Sequence, residues 1–196
     1  AQLHHPYKSE LWLAGETDFT GEVISRMEAF TTECGKPSIH FFGHTHGYSR
    51  GQSRDHEHLW VNVATAGGNI DYWGEYAQAD YPEFTVSQDE WGFVMVEVEA
   101  GDDPGFHMKR ISRGNEDVFR DNELRDEVHI RLHNEMPDIP EGIYPSGSGI
   151  DPDMLILEAN NFQDSDGDEI MAAHFRIYEN CDTAVAKTQR TRVTIK

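Results

Sequence analysis

Ser38-Ile39-His40-Phe41-Phe42-Gly43-His44-Thr45-His46-Gly47 is the stretch on which the fold turns. Its first five residues are short and largely apolar, which predicts a buried strand. That strand runs directly into a glycine-flanked His-x-His. In α/β sheets, ligands bind in the loops that leave the carboxyl ends of strands, so this is where a pair of imidazoles can do chemistry. Upstream, Val23, Met27, Phe30 and Cys34 fall at helical spacing. Thr20 is a suitable cap, Glu22 suits the first turn, and Gly35 with Pro37 marks the stop.

Downstream the pattern changes to strands. Trp60 to Thr65, Phe93 to Val98 and Met108 to Ser112 read as strands, with an aromatic, glycine-containing loop from Gly67 to Tyr81. The charge-dense residues 113–127 predict a solvated connector or a short exposed helix. Val128, Ile130 and Leu132 then alternate with polar residues, as in a half-buried strand. A proline- and glycine-rich stretch from Pro137 to Pro152 predicts a linker loop. Beyond it, Leu155-Ile156-Leu157, the turn Asp164-Ser165-Asp166-Gly167-Asp168, His174 to Tyr178 and Arg192 to Ile195 have the look of short sandwich strands and polar turns. The expected fold class is therefore α/β (α+β).

The chain has 196 residues and a formal net charge of −20. Such acidity repels phosphate backbones and anionic lipid, so neither nucleic acid nor a membrane surface is an expected partner. No apolar run approaches the roughly 18 residues of a membrane span. The two cysteines, Cys34 and Cys181, are too few and too far apart for a disulfide framework or a paired-cysteine metal site. The opening Ala-Gln-Leu-His-His-Pro has no start methionine and no signal segment, so a processed, excised or truncated chain is expected. The acidity is compatible with a secreted or cell-surface setting.

Histidine is concentrated at His4-His5, His44-Thr45-His46 and His56-Glu57-His58. Neutral imidazole is the commonest side-chain ligand for transition metals. The last pair, flanking a glutamate, reads as surface residues. The ordered set His-His-Pro-Tyr at 4–7, Gly-His-Thr-His-Gly-Tyr-Ser-Arg at 43–50 and Gly67-Gly68-Asn69 resembles the calcineurin-like metallophosphoesterase family, in its purple-acid-phosphatase-like branch. The resemblance spans roughly residues 1–112. It implies a two-sheet sandwich flanked by helices, a pair of divalent or trivalent ions (iron, zinc or manganese) and hydrolysis of phosphate mono- or diesters. It further implies His4, His44 and His46 as metal ligands, with His44 on one ion and His46 on the other. His5 would face substrate or support a ligand. Tyr48 and Arg50 are candidate catalytic contacts to phosphate, and Asn69 and Tyr72 are candidate substrate-binding residues.

The chain also departs from that family. Its Asp-x-His, Gly-Asp-x-x-Asp and Gly-Asn-His-Asp/Glu elements, which supply the bridging aspartate and other ligands, are absent; Gly68-Asn69 is followed by Ile70. Three imidazoles without a bridging carboxylate cannot hold two cations close together against their repulsion. The expectation is a C-terminal half-domain over 1–112 whose N-terminal half lies upstream, a connector with a strand over 113–136, and a partial β-sandwich over 137–196. Such a chain would hydrolyse little by itself.

The last segment is similar to fibronectin-type-III-like modules, and Asp164, Asp166 and Asp168 form a candidate calcium turn. The twelfth position counted from Asp164 is Phe175, so this is not an EF-hand. The competing expectation for the whole chain is a non-catalytic, calcium-binding surface module with structural histidines.

Overall fold

The computed structural model describes residues 1–135, 138–151, 153 and 155–165. The chain divides into two units, Ala1–His133 and Asn134–Lys196. In the first, a 3-10 turn (Leu13–Gly15) precedes α1 (Asp18–Cys34), then β1 (Ser38–Phe42), β2 (Tyr48–Gln52), β3 (His58–Val63), β4 (Phe84–Gln88), β5 (Trp91–Glu99), β6 (Gly105–Gly114) and β7 (Phe119–Arg131). It is a mixed α/β unit with one helix among its described residues and two sheets, ordered β1-β3-β2-β4 and β5-β6-β7. The helix is too short and polar to cross a membrane.

The expected strand at 38–42 is β1. It pairs in parallel with β3 from Ser38↔His58 to Phe42↔Asn62, while β2 and β4 add antiparallel. Because side chains alternate across a strand, the sheet has two different faces. Ile39, Phe41, Leu59, Val61 and Tyr48 share one core cluster with Met108 and Val128 of the second sheet. On the other face, Phe42, Trp60 and Phe84 pack with Ile24 of α1.

Helix α1 begins after Thr17 rather than Thr20. Thr20 is already inside it, and its hydroxyl donates to the His5 carbonyl at 2.8 Å. The buried stripe is Thr20, Ile24 and Thr31, not the expected apolar one, of which Phe30 and Cys34 stay exposed. The facing sheet explains the choice, since it offers hydroxyl and imidazole groups that need polar partners. Thr31 meets Ser38 (2.5 Å), Ser38 meets His58 Nδ1 (2.7 Å), and His58 Nε2 meets His40 Nδ1 (3.0 Å). His58 is thus buried, correcting its reading as a surface residue. Burial, then mutual repulsion, pushes the pKa of His40 down to about 3; burial and the chain's amino terminus push His58 down to about 4.

The charged stretch 113–127 is not a helix or connector: most of it is strand β7, paired with β6. Its alternation is hidden in the sequence because the inward-facing residue at 126 is an aspartate. Asp126 accepts from Tyr48 Oη at 2.6 Å and from both Nε and Nη2 of Arg50. Burial works against the Arg50 charge, but the bond and attraction to Asp126 win and raise its pKa. Beside it, Arg110 is fully buried and lies 4.9 Å over the Tyr48 ring, with burial lowering its pKa to about 10.

In the second unit, β8 (Gly142–Tyr144) pairs antiparallel with β9 (Glu158–Ala159). The predicted linker therefore contains a strand, and the expected strand at 155–157 falls just before β9. Asp164 is described, whereas Asp166, Asp168 and the expected strands at 174–178 and 192–195 lie outside the described residues.

Two outcomes follow from these buried groups. Asp126→Ala strands the Arg50 guanidinium in the core and is expected to cost about 3–5 kcal/mol in urea unfolding, with Asp126→Asn milder. For the histidine pair, the unfolded chain takes up protons below its ordinary pKa of about 6.5 while the folded chain resists them until about 3 and 4. Stability therefore falls as pH drops below 6.5, by up to about 1.4 kcal/mol per pH unit for each histidine. His58→Gln should reduce that slope, and the His40 ring resonances should not titrate above pH 5.

Candidate functional site

The loop after β1 is held from three directions. Asn62, the last-rung partner of Phe42, donates through Nδ2 to both the carbonyl and the hydroxyl of Thr45 at 2.9 Å. Its Oδ1 accepts from the Ala64 N–H at 3.1 Å. Asp71 Oδ2 accepts from the His46 N–H at 2.7 Å, and the Asp71 N–H returns a bond to the His46 carbonyl. Gly47 completes the hold: a Cβ there would meet Leu11 Cδ1 at 1.9 Å. Pinned at both ends, the loop carries His44 at φ 69°, a left-handed conformation that a non-glycine residue adopts at a cost and that tends to occur at functional sites.

The opening residues lie along the free edge of β1. Phe41 donates to the Ala1 carbonyl and Leu3 to the Phe41 carbonyl; Gly43 then donates to the His4 carbonyl. This pairing delivers His4 and His5 to the end of β1, beside His44. The ligand nitrogens of the three histidines lie within 4.8 Å of one another. His44 Nδ1 and His4 Nε2 are 3.2 Å apart, close to the roughly 3.3 Å expected of two nitrogens sharing a tetrahedral zinc at about 2.0–2.1 Å. His5 packs its ring against His44 at a centroid separation of 4.1 Å. Burial, then His5, His4 and His46, lowers the pKa of His44, favouring the neutral form with a free lone pair.

Trp12 stacks on His44 at 5.3 Å and also meets Tyr76 at 5.6 Å. A cleft of about 520 Å³ opens beside the imidazoles, lined among others by Glu16, Thr17 and Phe19. The donor set is that of a borderline cation such as zinc, with three imidazoles and open coordination positions. It does not by itself suit two close cations, because no carboxylate belongs to this cluster among the described residues.

The remaining expected site residues fall elsewhere. His46 is near enough to affect His44, yet it is outside the group of three. Tyr48 and Arg50 are buried on the face of β2 that turns toward the second sheet, tied to Asp126. Asn69 is exposed on its loop, and Tyr72, half-buried, has its phenol pKa raised by desolvation and then by Glu116. Trp12, Asn62 and Asp71 are not legible as site residues in the sequence. Their roles depend on β1–β3 register and on a return of the chain across 25 residues, which a local pattern does not encode.

Asn62→Ala removes the Thr45 clamp and is expected to cost about 1–3 kcal/mol. Amide exchange at His46 and Gly47 should speed up about tenfold or more while the β3 ladder keeps its protection; hydrogen exchange read by NMR checks both. Compared with known proteins, the chain matches no family model, no curated protein and no solved structure.

Proposed function

We propose that this chain carries the histidine-rich part of a metal-dependent phosphoesterase centre, acting on phosphate mono- or diesters within a longer secreted or cell-surface protein. The observation that carries this reading is the convergence of His4, His5 and His44 at the carboxyl end of β1, with two ring nitrogens at shared-ligand distance. On this reading the two sheets of the first unit are the C-terminal half of a two-sheet phosphoesterase sandwich, and the missing carboxylate ligands come from outside the described residues.

His4 and His44 would hold the cation, and His5 would either join them or face the phosphoryl group. Such a cation supplies neutralisation of phosphoryl charge and an activated water. The chain's own residues do the positioning: the Asn62 and Asp71 bonds fix the loop, Trp12 stacks on His44, and Phe19 gives the cleft an aromatic lining. The flat ring faces suit the organic part of an ester, while the acidic surroundings disfavour a polyanionic nucleic acid.

The test uses the intact protein with aryl phosphate mono- and diesters, and metal analysis of the 196-residue chain. His4→Ala and His44→Ala are expected to lower kcat/KM by at least about 100-fold with circular dichroism unchanged, and to reduce bound metal in the chain. Unchanged turnover in both variants would overturn the assignment. So would tight binding of one zinc by an intact protein that hydrolyses none of these esters, which would make the cluster a mononuclear binding site.

A further inference from the structure

A second cluster of imidazole and carboxylate groups sits on the outer face of the β5-β6-β7 sheet, remote in sequence from the loop after β1. In the ladder, Glu97, His107 and His129 form one row across three strands (Glu97↔His107 and His107↔His129), and Glu127 is two residues before His129. The period of two puts all four on one face. Their neighbours Phe106, Met108, Val128 and Ile130 turn inward to the core.

His107 Nε2 is 2.5 Å from Glu127 Oε1, and His129 Nε2 is 3.7 Å from the same oxygen. The two rings stack at a centroid separation of 3.6 Å and 22°. On its far side His107 Nδ1 is 3.4 Å from Glu97 Oε2. Lys109 Nζ also approaches Glu97, at 3.5 Å. The His107 ring is enclosed, 15% exposed, whereas His129 at 64% leaves the cluster open to solvent on one side.

We propose that His107, His129 and Glu127 form a binding site for a divalent transition metal, zinc first, with Glu97 orienting His107 from behind. Two imidazoles and one carboxylate are an established donor set for such ions. A tetrahedral ion at about 2.0–2.1 Å from each donor separates them by about 3.3 Å. The 2.5 Å pair opens and the 3.7 Å pair closes by less than an ångström each, within reach of side-chain rotation. The ion then lies between His107 Nε2 and Glu127 Oε1, where the two side chains now meet directly. Nδ1–H of His107 donates to Glu97, the carboxylate–histidine–metal arrangement that fixes the tautomer and raises ligand basicity.

Hydrogen bonding alone accounts less well for the geometry. It explains the two carboxylate contacts of His107, but it leaves His129 Nε2 at 3.7 Å from Glu127, too far for a hydrogen bond. One divalent ion satisfies both rings. Its structural effect is to clip β6 to β7, the long, charge-rich edge strand of this sheet.

The experiment titrates zinc alone into the full 196-residue chain carrying His44→Ala, which removes one of the three donors of the first cluster, and reads the heat of binding and the thermal midpoint. One zinc per chain is expected, with a zinc-dependent rise in Tm. His129→Asn should weaken binding at least about tenfold and abolish that rise, while its Tm without zinc stays that of the parent because the residue is mostly exposed. Glu97→Gln should weaken binding about tenfold through orientation of His107 alone. Cobalt substitution gives a visible d–d spectrum that must lose intensity in His107→Asn. The proposal is overturned if the His44→Ala chain takes up no zinc, or if His129→Asn binds it as tightly as its parent.

Discussion

The pairing of residues 1–3 with the free edge of β1 is the interaction on which the candidate centre depends. Ala1 donates its amino group to the Ile39 carbonyl and accepts from Phe41, and Leu3 donates back to Phe41. Without these bonds nothing shown would hold His4 beside His44, 40 residues away in sequence. With them, the three rings arrive within ligand distance at a strand terminus where the backbone is already committed. The left-handed His44 is tolerated because Asn62, Asp71 and the Leu11–Gly47 contact determine the loop on both sides.

The interior holds many polar and charged side chains beside its apolar ones. One face of the first sheet joins Thr31 of the helix in the Thr31–Ser38–His58–His40 chain, and the other sets Tyr48 and Arg50 against Asp126 and Arg110 of the second sheet. Each group is costly if left alone and acceptable when bonded, so the network fixes register more than it adds energy. It also explains why Tyr48 and Arg50 are not surface contacts to phosphate. They follow the His-x-His loop directly in sequence, but strand alternation from Tyr48 onward turns both toward the second sheet, where Asp126 accepts from them.

Local pattern reveals what depends on local chemistry. The strand at 38–42, the glycine-flanked loop and the concentration of histidine around it can be read from residue type and order, but not that His5 rather than His46 joins His4 and His44. The helix is legible, but its buried stripe is not, because the sheet presents polar groups and so selects Thr20 and Thr31 over Phe30. Strand β7 escapes the reading for a related reason: its inward positions include Asp126, and its outward ones are charged, so no apolar alternation appears before Val128. The clamp by Asn62 and the meeting of His107 with His129 depend on register, which no single strand carries.

The placement of carboxylates bears on both proposed metal positions. Around the first cluster the acids are already engaged: Glu16 lines the cleft, yet its Oε1 accepts from Ser9 N–H and Tyr81 Oη, and Asp71 is bound to His46 N–H. Withdrawing either to reach a cation would release a buried donor and loosen the loop that positions His44, so the extra charge a second ion requires does not come readily from these groups. On the outer sheet the situation reverses. Glu127 and Glu97 are substantially exposed at 39% and 60%, and their ion-pair partners are histidine and lysine side chains, so their rearrangement around an ion costs little structure. An imidazole-only set at a rigid strand end would need carboxylates from elsewhere to hold two ions, whereas two imidazoles and a carboxylate on an adjustable sheet face would hold a single ion and leave its fourth position to water.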